Sequence, residues 1–499
     1  MDTEVIDAQD DRALDEPGGA EPVPPSDRED GPRPARDWRH PSIESAILWL
    51  LVAVALRIGL SPLSDNSFLT HLATGRLILD GRSIPTTDPY SFTAHGHHWT
   101  VQSWGASVIY AVNERTLGLL GIRLVDAVCT VTLVLILWRL SKVGTSLVAR
   151  LLVSGLVVAM GTGLWVERPL LFGAVFLAIV LLVADGGLDP RWLVPVMWVW
   201  VNTHGSFPFG PGLLVLLVVG RWLDDRTKPV LELRALGWAV AGTLIGAVGP
   251  LGPKLLLFPL ELLSNREAFE GIAEWEPPHW QRGVERFFAV QLAITLVAVL
   301  VRDRRWRQIL PVVVFGAAAI SGTRNILQAS IVLTPILATA LRGMGTIDGT
   351  LRPRLARPVV IAMAVLAILV GVIGIAGPNT ALAPYPEKAS QWMRHRGLLG
   401  VDDRVVTQDF VGNFLEFRYG PDQVRTYIDD RVDMYPLPVI RAYTKLLDPG
   451  SDYQAILTDA RATSVLWESN TPAGRWLRKS SRWDVVYRDD KWLVAVPVR

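Results

Sequence analysis

Cysteine is almost absent: Cys129 is the one thiol in 499 residues, and it stands inside an apolar run. A lone thiol excludes a disulfide framework within the chain and a cysteine-based zinc site, so oxidising surroundings are neither required nor excluded. Net charge is nearly absent too. Lys+Arg 49 against Asp+Glu 48 leaves +1 at pH 7. That gives no global field to gather nucleic acid, and basic residues matter only by location. No Gly-rich phosphate loop, G-x-S-x-G elbow or H-E-x-x-H helix occurs, so neither ATP coupling nor a second catalytic centre is written into the chain. No repeat of fixed period is visible. Residues 1–40 show no cleavable signal peptide. They are acidic, Pro-rich and poor in large apolar side chains, and such a segment cannot offset its ordering entropy. A disordered cytoplasmic tail is expected there, with the first apolar run kept as an anchor.

What is plentiful is apolar surface. Half the residues are hydrophobic, Trp numbers 19 and the mean hydropathy is +0.30. Runs of Leu, Val and Ala closed by Arg or Pro make lipid the expected solvent, with Trp at its interfaces. Spans fit near 42–62, 121–140, 147–165, 169–184, 192–203, 209–223, 234–250, 286–301, 308–321, 325–341 and 358–376, about eleven in all. "QSWGASVIYAVNERTLG" (102–118) holds Asn113, Glu114 and Arg115 and reads as an interfacial helix. Charge supports that choice. With the tail cytoplasmic, the inside loops include 221–228 ("RWLDDRTK"), 302–307 ("RDRRWR") and 342–357 ("RGMGTIDGTLRPRLAR"), which satisfies the positive-inside rule. The organisation expected is a polytopic α-helical domain over 41–378, with a first outer loop at 63–120. A small extracytoplasmic α/β domain is expected over 379–499. There "RVVTQ", "VRTYI", "TSVLW", "WDVVY" and "WLVAVPV" alternate with amphipathic "KASQWMRHRG" and "LPVIRAYTKLL".

On this topology the unusual polar residues collect on one side. Asp65, His71, Arg76 and Asp88 fall in the first outer loop, Glu167 and Arg168 in "VERP", and Asn202 and His204 in "VNTHGSF". Glu274, Glu276 and His279 follow in "AEWEPPHW", then Arg324 and Asn325 in "GTRN". Ionisable groups at a membrane edge are costly unless paired or solvated, so their convergence suggests a cavity. Asp65 or Ser64 is placed to cap a short helix from about Ser67, with Ser67, Thr70, His71 and Thr74 sharing one exposed face. The plain alternative makes Asp65 only a cap and His71 only solvated. "HGHH" (His95, His97, His98) reads as a solvated turn rather than a zinc site. Arg57 reads as structural, and Asp429, Asp430, Arg431 and Asp433 of "TYIDDRVDMY" read as a turn-stabilising Asp–Arg pair more readily than as an acceptor site.

Asp65, then "HLATGRLILDGRSIPTTDPYSFT", then "HHW…SW", together with "WVNTHGSFPFG", "EWEPP", "SGTRNI" and "YIDDRVDMY", resemble a largely uncharacterised group of bacterial proteins in the GT-C glycosyltransferase superfamily. The resemblance covers roughly residues 42–499. It implies a multi-pass plasma-membrane enzyme that takes a sugar from a polyprenyl-phosphate donor on the outer face. The sugar would pass to an envelope glycan, lipid or protein. It also implies a carboxylate early in the first outer loop as general base or metal ligand, and Asp65 is the match. The chemistry agrees: an acceptor hydroxyl needs a carboxylate within reach. A departing phosphate needs cationic donors, which Arg168, Arg324 or Arg76 would supply. His71, Asp88, Glu167, His204 and Glu274 complete the expected substrate contacts. The chain departs from the group's pattern at Asn66, where a second acid is common, and at Ser103, where an acid often precedes the Trp. Chemistry without a divalent ion (Mg or Mn) is therefore the favoured expectation, with no other cofactor. Two rivals stand beside it, a lipid-linked-sugar flippase and a non-catalytic envelope assembly protein.

Overall fold

The computed structural model describes residues 42–143, 146–264, 266–269, 272, 274–342 and 353–498. The expected tail (1–40) and most of the basic loop 342–357 lie outside these residues. Fourteen helices come first: α1 Ile43–Gly59, α2 Asn66–Gly81, α3 Trp104–Leu117, α4 Leu119–Leu140, α5 Leu147–Leu164, α6 Pro169–Ala184 and α7 Leu193–Thr203. They continue with α8 Phe209–Asp225, α9 Val230–Gly246, α10 Lys254–Ser264, α11 Gly283–Arg302, α12 Trp306–Ser321, α13 Ile326–Ala340 and α14 Pro353–Ala376. Each of the eleven expected spans falls on one of these helices. The largest displacement is at the start of α14, which begins at Pro353, five residues earlier than hydropathy suggests; α9 begins directly after Pro229, four residues early.

Local chemistry sets the helix ends. Ser42 caps α1 by accepting from the Ser45 N–H, Asp65 caps α2 by accepting from the Ser67 N–H, and Pro169 opens α6 where its missing donor costs nothing. Among the described residues four helices are long and apolar enough to cross a membrane: Leu119–Leu140, Leu147–Leu164, Gly283–Arg302 and, within α14, Leu355–Ala376. Large apolar side chains such as Val301, Ile368 and Ile373 point outward, a surface that suits lipid rather than water. Between α1 and α14, Arg123 is fully buried. Its guanidinium donates to the carbonyls of Leu60, Ser61 (3.2 Å), Gly374 (2.5 Å) and Gly377 (3.3 Å). Two helix C-termini thus share one cation, which satisfies carbonyls that would otherwise be orphaned.

The paired helices α2 and α3 form a layer at one end of the bundle. They meet at Gly75, where a Cβ would lie 1.9 Å from the Ser107 carbonyl oxygen. Gly75→Ala is expected to push α3 away at a cost of about 1–3 kcal/mol. A fall of several degrees in the melting temperature of the detergent-purified protein would show it.

The remaining elements are α15 Glu387–His395, β1 Val405–Thr407, α16 Asp409–Tyr419, α17 Leu437–Leu447, α18 Tyr453–Asp459, β2 Ser464–Glu468, α19 Pro472–Leu477, β3 Trp483–Arg488 and β4 Trp492–Pro497. The sheet runs β1-β2-β4-β3, parallel only between β1 and β2. The parallel pair needs a long crossover, and that crossover carries α16, the 426–434 segment and α17. Four of the five expected strands form. "VRTYI" does not, because Thr426 makes only single bridges, to Ser91 and to Val405. The bridge to Ser91 ties the C-terminal part to the 82–103 loop, as do Phe92 N–H to Thr426 O and Thr426 N–H to Tyr90 O, each 2.9 Å.

Candidate functional site

The crossover closes over the bundle and encloses a cavity of about 480 Å³. One wall is the start of α2, where Ser67, Thr70, His71 and Thr74 line the space. The polar stripe expected to face solvent therefore faces an interior, and Thr70 and Thr74 are buried. Arg168 and His204 enter from the ends of α6 and α7, and Glu274, Trp275 and Arg324 from two later loops. The crossover supplies Asp409, Asp430, Arg431, Asp433 and Tyr443.

Asp65 caps the helix that forms this wall but is not itself a lining residue, and each of its oxygens accepts a bond. Oδ1 accepts from the Ser67 N–H at 3.0 Å and Oδ2 from Arg168 Nε at 2.6 Å. Burial pushes its carboxyl above the ordinary range, against the pull of Arg168. Glu167 Oε1 accepts from the Asp65 N–H at 2.7 Å and from the Ser64 N–H, so the loop entering α2 is fixed by its neighbour in "VERP". Arg168 also pairs with Glu274 through Nη1. Although burial works against its charge, Asp65 and Glu274 hold it well above its usual value.

Arg324 differs. Its guanidinium lies 3.9 Å from the Trp275 ring centroid, while its backbone N–H donates to the Glu274 carbonyl at 3.0 Å. Glu274 and Asp433 lie close enough to raise its proton affinity, but burial and Arg168 lower it, and the net shift is downward. Among the described residues it has no ion-pair partner. Part-buried and unpaired, this cation borders a cavity, where guanidinium geometry suits a phosphate.

Both histidines are neutral. Burial, then Arg168, pushes His71 down to about 4. Burial, then Arg324, pushes His204 to about 3. The Ser206 N–H donates to His204 Nδ1 at 3.1 Å, so Nε2 carries the proton and is the donor the ring offers.

Three expected substrate contacts do not line the cavity. Arg76 pairs with Glu114 and donates to the Phe417 carbonyl. Asp88 is buried, accepting from the Tyr90 and Ser91 N–H groups and from Arg431 at 2.7 Å. Glu167 braces the backbone as described. Asn202 likewise serves structure, accepting from Trp104 Nε1 at 2.9 Å. His95, His97 and His98 sit in an exposed turn, Glu276 and His279 pair on the surface, and Arg57 donates to Ser61. No group of His, Cys, Asp or Glu among the described residues is placed to hold a metal ion.

Asp409, Asp430 and Asp433 are cavity residues outside the expected set. Asp430 and Asp433 fall in "TYIDDRVDMY", whose turn-stabilising reading holds for Asp429 and Arg431: they pair at 2.5 Å, and Arg431 stacks on Tyr90 and Trp99. Burial, then Asp429, pushes Asp430 up to about 7, and burial pushes Asp433 up to about 6.

No family model and no curated protein matches the sequence. Solved structures do. The oligosaccharyltransferase of Archaeoglobus fulgidus, tethered to an acceptor peptide with an NVT sequon, superposes with a TM-score of 0.52 at 12% identity. It covers 87% of this chain and 69% of its own. ArnT from Cupriavidus metallidurans in the apo state gives 0.51 at 15% identity, over 91% of this chain and 98% of its own. The chain therefore shares the fold of these two structures.

Proposed function

We propose that the chain is an integral membrane glycosyltransferase. It takes a sugar from a polyprenyl-phosphate carrier at the outer face of the plasma membrane and passes it to a cell-envelope acceptor. The observation that carries this reading is Arg324: a part-buried guanidinium with no ion-pair partner among the described residues, close to Arg168, in a cavity at the end of an apolar bundle. Apolar helices suit a lipid-linked donor. Two guanidiniums suit its phosphate as charge develops on the departing oxygen. Asp65, with both oxygens engaged, acts as the carboxylate that orients Arg168, and His204 Nε2–H adds a neutral donor. The reaction is direct displacement at the anomeric carbon, with inversion.

The test uses membranes from a strain deleted for this chain and complemented at matched levels. The membranes are charged with radiolabelled nucleotide sugars so that their own enzymes load the carrier lipid. Wild type is expected to move label from the lipid to an envelope fraction, and chelator is expected to leave the rate unchanged. Arg324→Ala is expected to weaken binding of undecaprenyl phosphate about 10- to 100-fold, since hydrogen bonds to a charged group contribute about 1.5–3 kcal/mol. Its melting temperature should hold or rise, because a part-buried charge with no ion-pair partner among the described residues is lost. A lower melting temperature with unchanged binding would make Arg324 a structural partner of Trp275. No transfer by wild type would favour lipid transport or envelope assembly.

A further inference from the structure

Any transfer of this kind needs a proton acceptor for the attacking hydroxyl, and Asp65, each oxygen already accepting one bond, does not line the cavity, whereas Asp430 does. Resting on the transferase reading, we propose that Asp430 is the catalytic base: its carboxylate meets the acceptor hydroxyl in the cavity and takes its proton. The crossover loop that carries it comes from the C-terminal part of the chain, yet its position relative to α2 is tightly set. Asn413, fully buried on α16, donates from Nδ2 to the Asn66 carbonyl at 3.2 Å and accepts from the Asp430 N–H through Oδ1 at 3.1 Å. One side chain thus registers Asp430 against the first residue of the helix that Asp65 caps. Gly412 permits that contact, since a Cβ there would lie 2.1 Å from the Ile428 carbonyl oxygen.

The next residue in the loop is held from the other side. Arg431 pairs with Asp429 and Asp88, and Tyr435 donates to Asp429 at 2.7 Å. Arg431 borders the same cavity, and its buried Nη1 makes no hydrogen bond to a described residue. That leaves a donor for the acceptor beside the base.

The groups facing Asp430 are Asp429 on its own loop, Asp409 at the start of α16, Arg168 at the start of α6 and Ser67 on α2. Burial and the two neighbouring carboxylates outweigh the cation, and Asp430 titrates near 7, where a base matched to neutral pH belongs. In the step itself, the acceptor oxygen bonds the anomeric carbon as its proton passes to Asp430. The bond from that carbon to the phosphate oxygen breaks, and the electron pair leaves on the polyprenyl phosphate held by Arg324 and Arg168. The proton on Asp430 then returns to water.

The experiment compares wild type, Asp430→Asn and Asp430→Glu in the complemented membranes, with undecaprenyl phosphate binding measured on the purified proteins. Asp430→Asn is expected to lower transfer at least about 100-fold with lipid-phosphate binding within twofold of wild type. Asp430→Glu is expected to recover part of the rate. Wild-type transfer should fall as pH drops through about 7, and the residual Asp430→Asn rate should lose that limb. Transfer by Asp430→Asn within threefold of wild type, or a wild-type pH limb that persists in it, overturns the assignment. Loss of lipid-phosphate binding in parallel with transfer also overturns it, by making Asp430 structural. Failure of the transferase reading is separate and recognisable, because wild-type membranes would then transfer no label.

Discussion

Asp65→Asn is expected to lower label transfer by at least about 100-fold while leaving the fold almost untouched. Asn is as good an N-cap as Asp, so α2 keeps its start and the Ser67 N–H keeps its acceptor. What is lost is the charge that holds Arg168 Nε at 2.6 Å. Arg168 then keeps only Glu274, whose side chain is half exposed, and its guanidinium drifts toward the mouth of the cavity. A displacement of about 1 Å at a group that positions the reacting atoms is enough for a loss of this size. Asp65→Ala should add a stability cost of about 1 kcal/mol, because the cap goes too. The pH profile separates the roles. If Asp65 orients Arg168, the residual rate of Asp65→Asn keeps the acid limb near 7. A limb that vanishes in Asp65→Asn makes Asp65 itself the proton acceptor and removes Asp430 from that role. Unchanged transfer would leave Asp65 as a helix cap alone.

How much of this was legible in the sequence depended on how far apart the partners lie. The helices were legible because each apolar run has one end signal near it: Ser42 for α1, Pro169 for α6, Pro229 for α9. The cap at Asp65 was legible for the same reason, its acceptor being two residues on. Arg168 and Arg324 could be singled out because charges at the ends of apolar runs are costly. Their different states could not. Arg168 finds Asp65 and Glu274 across the fold, whereas Arg324 lies against the Trp275 ring and has no ion-pair partner among the described residues. Arg76 and Asp88 looked like ligands because their partners, Glu114 on α3 and Arg431 in the crossover, carry no local signal that points back to them. Asp430 was readable as an acid after a hydrophobic stretch. Its place in the cavity follows from Asn413 bonding to Asn66, which sequence spacing does not encode.

Arg168→Met is expected to be the most damaging single change, for stability as well as transfer. It strips the cation from Asp65 and Glu274 together. Asp65 is the costly one, its side chain 11% exposed, and an uncompensated buried charge of that kind costs about 3–5 kcal/mol. Glu274 turns to water at little cost. The sign with pH follows from the proton. Burial already raises the Asp65 carboxyl, and without Arg168 it rises further, so the folded chain binds that proton more tightly than the unfolded chain does. Stability of Arg168→Met is then greatest below the ordinary carboxylate range and is lost as pH climbs through the raised value. Melting curves of the detergent-purified proteins should show wild type and Arg168→Met converging in acid and separating toward neutrality. Asp65→Asn/Arg168→Met, with no charge left to bury, should lose that slope and regain most of the stability. It should regain no transfer, because the donor phosphate has still lost one of its two guanidiniums. A deficit in Arg168→Met that is the same at every pH would mean that Arg168 stabilises by packing, and that the Asp65 charge is balanced elsewhere.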